Sequence, residues 1–188
     1  NFGGNGTSIG ECAFENCTSL NSVNLSSGVT SIGRKAFYNC KALKDISFSD
    51  ALVTVGEKAF YNTIWYNEQA DGVVYACTVL YKYKGICPLN IEIKEGTVSI
   101  AEKAFYSQYK LTSVTIPNAV TSIGNWAFYK CSSLTSVTIP NSVASIWEYA
   151  FSGCSGLTNV TISNSVICIG NYVFSNCTAL TSVTIPNA

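Results

Sequence analysis

Nine cysteines and the complete lack of histidine set the chemical limits of this 188-residue sequence. Without an imidazole, the usual general base at neutral pH and the common nucleophile–base triads are missing. The cysteines form no C-x-x-C pair, so the spacing of a zinc site is absent. No glycine-rich phosphate loop occurs. The 11 carboxylates are scattered, and Glu57 and Glu102 recur beside Lys58 and Lys103 as solvated surface pairs. The residue inventory therefore predicts no enzyme activity, no metal and no cofactor.

The cysteines are nevertheless patterned. Cys17, Cys40, Cys131, Cys154 and Cys177 occupy one recurring position, where Thr63 and Gln108 stand in for them elsewhere. Such swaps suit buried thiols acting as small apolar groups. The alternative is pairing between adjacent positions of the column, such as Cys17 with Cys40, because strand spacing falls within disulfide range. Cys12, Cys77, Cys87 and Cys168 lie off this column, and an odd total leaves at least one thiol unpaired within the chain.

Two sets of side chains are candidates for contact with a partner. The first is aromatic. Tyr38, Tyr61, Tyr106 and Tyr129 recur at one position, Trp126, Tyr149 and Tyr172 at another, and Trp147 lies nearby. Aligned exposed aromatics serve protein and glycan contacts, or else each ring covers its neighbour and stiffens the array. The second set is hydroxylic: Ser113/Thr115, Ser136/Thr138, Asn159/Thr161 and Ser182/Thr184 read as the outward positions of short strands.

These columns demand a repeated scaffold, and the phenylalanines reveal it. Phe14, Phe37 and Phe60 are spaced by 23 residues, as are Phe105, Phe128, Phe151 and Phe174. Ile or Val recurs five residues before each Phe, Ala or Val one before, and Leu six after in six of the seven units. Within Leu134–Ile139, Leu134, Val137 and Ile139 follow the L-x-x-L-x-L pattern of a leucine-rich repeat. Val137 and Ile139 flank Thr138, which is the alternation of a half-buried strand. Pro117, Pro140 and Pro186 should end their strands, since proline lacks a ladder N–H. A second short extended piece (residues 120–123) and a short helical piece around Ala127 and Phe128 should complete each unit. No unit buries its apolar face alone, so stacking is required. The expected fold is an α/β leucine-rich-repeat solenoid of seven turns, with short parallel strands and short helical turns.

Residues 64–90 break the period. Val73–Tyr75 and Val79–Tyr83 read as two strands of an inserted hairpin with a tight turn at 76–78. Trp65, Tyr66, Tyr75, Tyr81 and Tyr83 make it a candidate contact element, or else they pack the hairpin onto the scaffold.

Net charge is zero, and beyond residue 110 only Lys130 and Glu148 are charged. A general affinity for nucleic acid or anionic membrane is not expected. No stretch of about 18 apolar residues exists, so direct membrane insertion is not expected either. There is no Met, and the array starts and stops within a unit. The chain reads as a piece of a longer protein, a single array over residues 1–188. Asn5, Asn16, Asn24, Asn159 and Asn176 begin N-x-S/T sequons.

The repeated units, such as LTSVTIPNAVTSIGNWAFYKC at 111–131, resemble the BspA-like leucine-rich repeats of bacterial and protist surfaces. The resemblance covers nearly the whole chain. It implies a right-handed solenoid, an extracellular or cell-surface location, and adhesion to a host protein, matrix or glycan. A structural spacer, or an element that self-associates through its repeat ends, is the alternative.

Overall fold

The computed structural model describes residues 6–25 and 27–185. Pro186 and the sequon at Asn5 lie outside them. The chain divides into two compact units, residues 1–70 with 74–79 and residues 71–73 with 80–188. Each unit is a β-solenoid.

In the first unit, β1 (Thr7–Ile9), β3 (Val29–Ile32) and β5 (Thr54–Val55) pair in parallel, as do β2 (Ser22–Asn24) and β4 (Asp45–Ser47). The inserted segment forms β6 (Gly72–Ala76) and β7 (Val79–Lys84). In the second unit, one sheet runs through β8 (Asn90–Glu92), β10 (Ser113–Thr115), β12 (Ser136–Thr138), β14 (Asn159–Thr161) and β16 (Ser182–Thr184). The other runs through β7, β9 (Ser99–Ile100), β11 (Ser122–Ile123), β13 (Ser145–Ile146) and β15 (Cys168–Ile169). The 23-residue period places like upon like: Val137 pairs with Val160, Thr138 with Thr161, and Ile123 with Ile146.

The core follows the sequence columns. Phe37, Phe60, Phe105, Phe128 and Phe151 are each no more than 1% exposed. Their rings stack with near-parallel planes, 5.0 Å apart for Phe105–Phe128 and for Phe128–Phe151. Those rings mark the spacing of successive turns and match ordinary strand spacing.

Two expectations are corrected. The first is the count of seven turns. Leu80 and Tyr83 of the insertion are buried and fill the Ile and Phe columns of a further turn. The N–H of Tyr83 bonds Ala104 O at 2.8 Å, just as Phe105 N–H bonds Ala127 O. Tyr83 and Phe105 rings lie 5.8 Å apart. With three such turns in the first unit and five in the second, the chain has about eight.

The second is the short helical piece of each repeat. Around Phe128, alternate N–H groups bond three residues back: Ala127 to Gly124 O, Tyr129 to Trp126 O and Cys131 to Phe128 O. The N–H groups between them, from Trp126, Phe128 and Lys130, reach Glu148, Ala150 and Ser152 carbonyls of the next turn. A helix needs every N–H for its own chain four residues back, so this alternation excludes one. It requires left-handed residues, and Trp126 and Lys130 have φ of 52° and 55°. Gly153 takes the Lys130 position one turn later with φ 75°. Among the described residues the helix is α1 (Ile64–Asn67) alone. Thr63, standing where other turns have Cys, caps it by accepting a 3.1 Å bond from Tyr66 N–H.

Candidate functional site

The aromatic columns are real, and their geometry limits what they can do. Trp126 stacks on Tyr149 at 5.5 Å with planes 8° apart, and Tyr149 on Tyr172 at 4.9 Å and 16°. Tyr106 stacks on Tyr129 at 5.0 Å, and Tyr38 on Tyr61 at 5.5 Å. Lys103 Nζ lies 5.1 Å from the Trp126 centroid, Lys130 5.3 Å from Tyr129, and Lys35 5.2 Å from Tyr38. Within a column the faces between stacked rings, and those under an ammonium, are therefore occupied, whereas Tyr172 is stacked on Tyr149 alone. Each stacked pair stabilises its neighbours by about 1 kcal/mol. Tyr172 and Trp147 are the most exposed of the set, at 62% and 48%.

The insertion supplies less surface than its aromatic content suggested. Tyr81 and Tyr83 are 4% and 7% exposed. Burial pushes the Tyr83 hydroxyl above its ordinary pKa, and that hydroxyl donates to Ile86 O at 3.3 Å. Neither residue can meet a partner, which corrects the sequence expectation; both are rungs of the core. Trp65 packs edge-on against Phe60 and Phe48 at 4.9 and 5.3 Å. Tyr66 lies 6.5 Å from Tyr61 and is half-buried.

The cysteine column is also occupied by the scaffold. Cys131, Cys154 and Cys177 each direct the thiol to the carbonyl of a Phe 26 residues earlier, at 3.1–3.2 Å, and Cys40 does so at 3.0 Å. Burial raises their pKa values, that of Cys131 to about 12. Thiols so placed are weak nucleophiles. Cys87 is also buried, with its pKa pushed up to about 11. Among the described residues no cluster of His, Cys, Asp or Glu is arranged to hold a metal.

The strand face of the second unit differs. Two threonine columns run side by side there. In one, Thr112, Thr135, Thr158 and Thr181 each donate to the carbonyl one turn back, at 2.8–3.2 Å. In the other, Thr115, Thr138 and Thr161 are exposed. Their hydroxyls take no intramolecular hydrogen bond among the described residues, nor do the exposed Asn118 and Asn141 amides. These residues line a groove of about 440 Å³ floored by Ile116, Ile139 and Pro140, with Ser163 at one end. Pro140 and Ile139 are buried, so the floor is rigid. Every lining residue is uncharged. Glu92, paired with Thr115, brings the nearest charge of the strand column.

The strand positions of this groove were readable from alternation. Asn118 and Asn141 were not proposed as site residues, although the recurring Thr-Ile-Pro-Asn (115–118 and 138–141) carried the signal. The distinction between the two threonine columns has no sequence signature, since both are Thr.

A family model for the BspA type leucine rich repeat region matches residues 1–68 and 81–188 in six copies. The chain belongs to this family. Solved structures are similar, and three of them are as follows. A leucine-rich repeat protein from Bacteroides ovatus is 25% identical with a TM-score of 0.50, over 94% of this chain and 51% of its own. A leucine rich cell surface protein from Faecalibacterium prausnitzii is 23% identical, TM-score 0.50, over 96% and 70%. The pneumococcal vaccine antigen PcpA is 23% identical, TM-score 0.62, over 96% and 54%. The chain spans about half the length of the first and last of these. No curated protein resembles it closely enough to count as a match. The segment left unmatched, residues 69–80, falls in the insertion, whose turn departs from the 23-residue unit.

Proposed function

We propose that this BspA-type repeat chain is a non-enzymatic recognition module at the cell surface or in secreted form, and that its contact surface is the Thr/Asn groove on β10, β12 and β14. One observation carries the reading. Two equivalent hydroxyl columns lie on the same face; one is consumed by the scaffold and the other is presented to solvent above a concave apolar floor. Polar groups held rigid without internal partners need no internal bond broken before they meet a ligand. The surface location rests on the description of the Faecalibacterium prausnitzii neighbour as a cell surface protein. Adhesion to host protein, matrix or glycan belongs to the same proposal.

The test is binding to immobilised matrix proteins and glycans with wild type, Thr138→Arg and the triple variant Tyr106→Ala/Trp126→Ala/Tyr129→Ala. Thr138→Arg should remove binding. Loss in the aromatic variant alone, with folding intact, would move the contact surface to the stacked columns.

A further inference from the structure

Resting on the groove reading above, the geometry points to a linear, neutral, β-1,4-linked glycan as the occupant, lying along the solenoid axis with one sugar per turn.

Spacing is the first argument. The open Thr and Asn side chains repeat once per turn, and the turn spacing is 5.0 Å. An extended peptide advances about 3.3 Å per residue, so its like-facing side chains recur every ~6.6 Å. Such a peptide laid along the groove falls out of step within two turns. Successive pyranose rings of an extended β-1,4 chain advance by nearly the turn spacing and turn over each time, so like faces recur every second turn and stay in step.

Chemistry is the second. Each complete rung offers one hydroxyl and one carboxamide: Thr115 with Asn118, and Thr138 with Asn141. Both groups donate and accept, which suits sugar hydroxyls of either orientation. Charge is the third. The lining is wholly uncharged, so a sulfated or sialylated chain would gain no ion pair there. The groove contains no aromatic face, so each turn contributes hydrogen bonds of modest net value. Affinity must then accumulate with the number of turns engaged.

Length dependence is thus the signature. Titration calorimetry would use β-1,4-linked glucose and N-acetylglucosamine oligosaccharides of two to six residues. The expected result is affinity that climbs with each added residue and levels off at about three, the number of turns that line the groove. The double variant Thr138→Val/Asn141→Ala should bind the longest oligosaccharide about tenfold more weakly, having lost two hydrogen bonds. Thr138→Val keeps side-chain shape, and thermal melting verifies the fold. Affinity independent of length, equal binding by the variant, or no binding by any member overturns the glycan assignment. A parallel panel of immobilised matrix proteins, before and after enzymatic deglycosylation, separates the two levels. Capture that survives deglycosylation but is lost in the variant refutes the glycan and retains the groove. Capture unaffected by the variant refutes both.

Discussion

The thiol of Cys131 donates to the main-chain carbonyl of Phe105, 3.2 Å away and 26 residues earlier. The bond ties one turn to the turn before it and is available only to the protonated sulfur. Burial, the main cause, holds its pKa near 12 against an ordinary value of 9.0. Below about pH 9 both folded and unfolded chains keep the proton, and the contribution is intact. Between about 9 and 12 the unfolded chain releases a proton that the folded chain retains, so stability falls. Urea midpoints should decline over that window, and Cys131→Ala should flatten the decline. Alkylation at pH 8 should label the exposed Cys17 and Cys168 quickly and Cys131 only on unfolding. Rapid labelling of Cys131 in the native protein would contradict this.

Phe128 stacks between Phe105 and Phe151, 5.0 Å from each, and is fully buried. Truncation removes contacts with two turns at once. Phe128→Ala should cost about 3–5 kcal/mol, read as a lowered midpoint of denaturant unfolding. Phe174, half-exposed and stacked on Phe151 at 5.7 Å, should cost distinctly less when changed to Ala. Equal costs would mean that stacking along the column contributes little.

Ser107 has φ of 58° at the position that Gly153 fills one way and Asn39, Asn62 and Asn176 another. An L-residue there carries roughly 1 kcal/mol of strain that glycine avoids. Ser107→Gly should therefore raise thermal stability, against the usual direction of substitutions to glycine. Ser107→Val, with a branched Cβ in the same conformation, should lower it by more. A melting-temperature comparison of the three proteins settles the sign.

The period, the strand positions and the buried columns were legible because a 23-residue repeat shows seven times what a single strand shows once. Phe128 and Val137 could be placed in the core without coordinates. The extra turn was hidden because Tyr83 precedes Phe105 by 22 residues and Leu80 precedes Ile100 by 20, so the insertion runs out of step. The helical piece was misread for a different reason. Ala127-Phe128 has helical composition, whereas the competing partner for the Phe128 N–H, Ala150 O, lies a full turn ahead and leaves no local trace. At the site, alternation located Thr115 and Thr138. It could not show that aromatic columns spend their faces on each other, since stacking depends on the 5 Å rise between turns.

Thr135 and Thr138 put the site assignment to its sharpest trial. They are three residues apart, both exposed and chemically identical. Thr135 donates to Thr112 O at 3.2 Å and is itself followed by Thr158, which donates to Thr135 O at 3.1 Å. Thr138 faces the groove instead. Valine conserves the shape of either side chain and deletes the hydroxyl. Thr135→Val should lower stability by about 1 kcal/mol, the net worth of a lost hydrogen bond, and leave ligand affinity unchanged. Thr138→Val should leave stability within about 0.5 kcal/mol of wild type and weaken binding. The two readouts, unfolding midpoint and affinity, should thus separate cleanly between two variants of one residue type. If Thr138→Val instead destabilises as much as Thr135→Val, the second column is scaffold like the first, and the groove loses the feature that marks it as a contact surface.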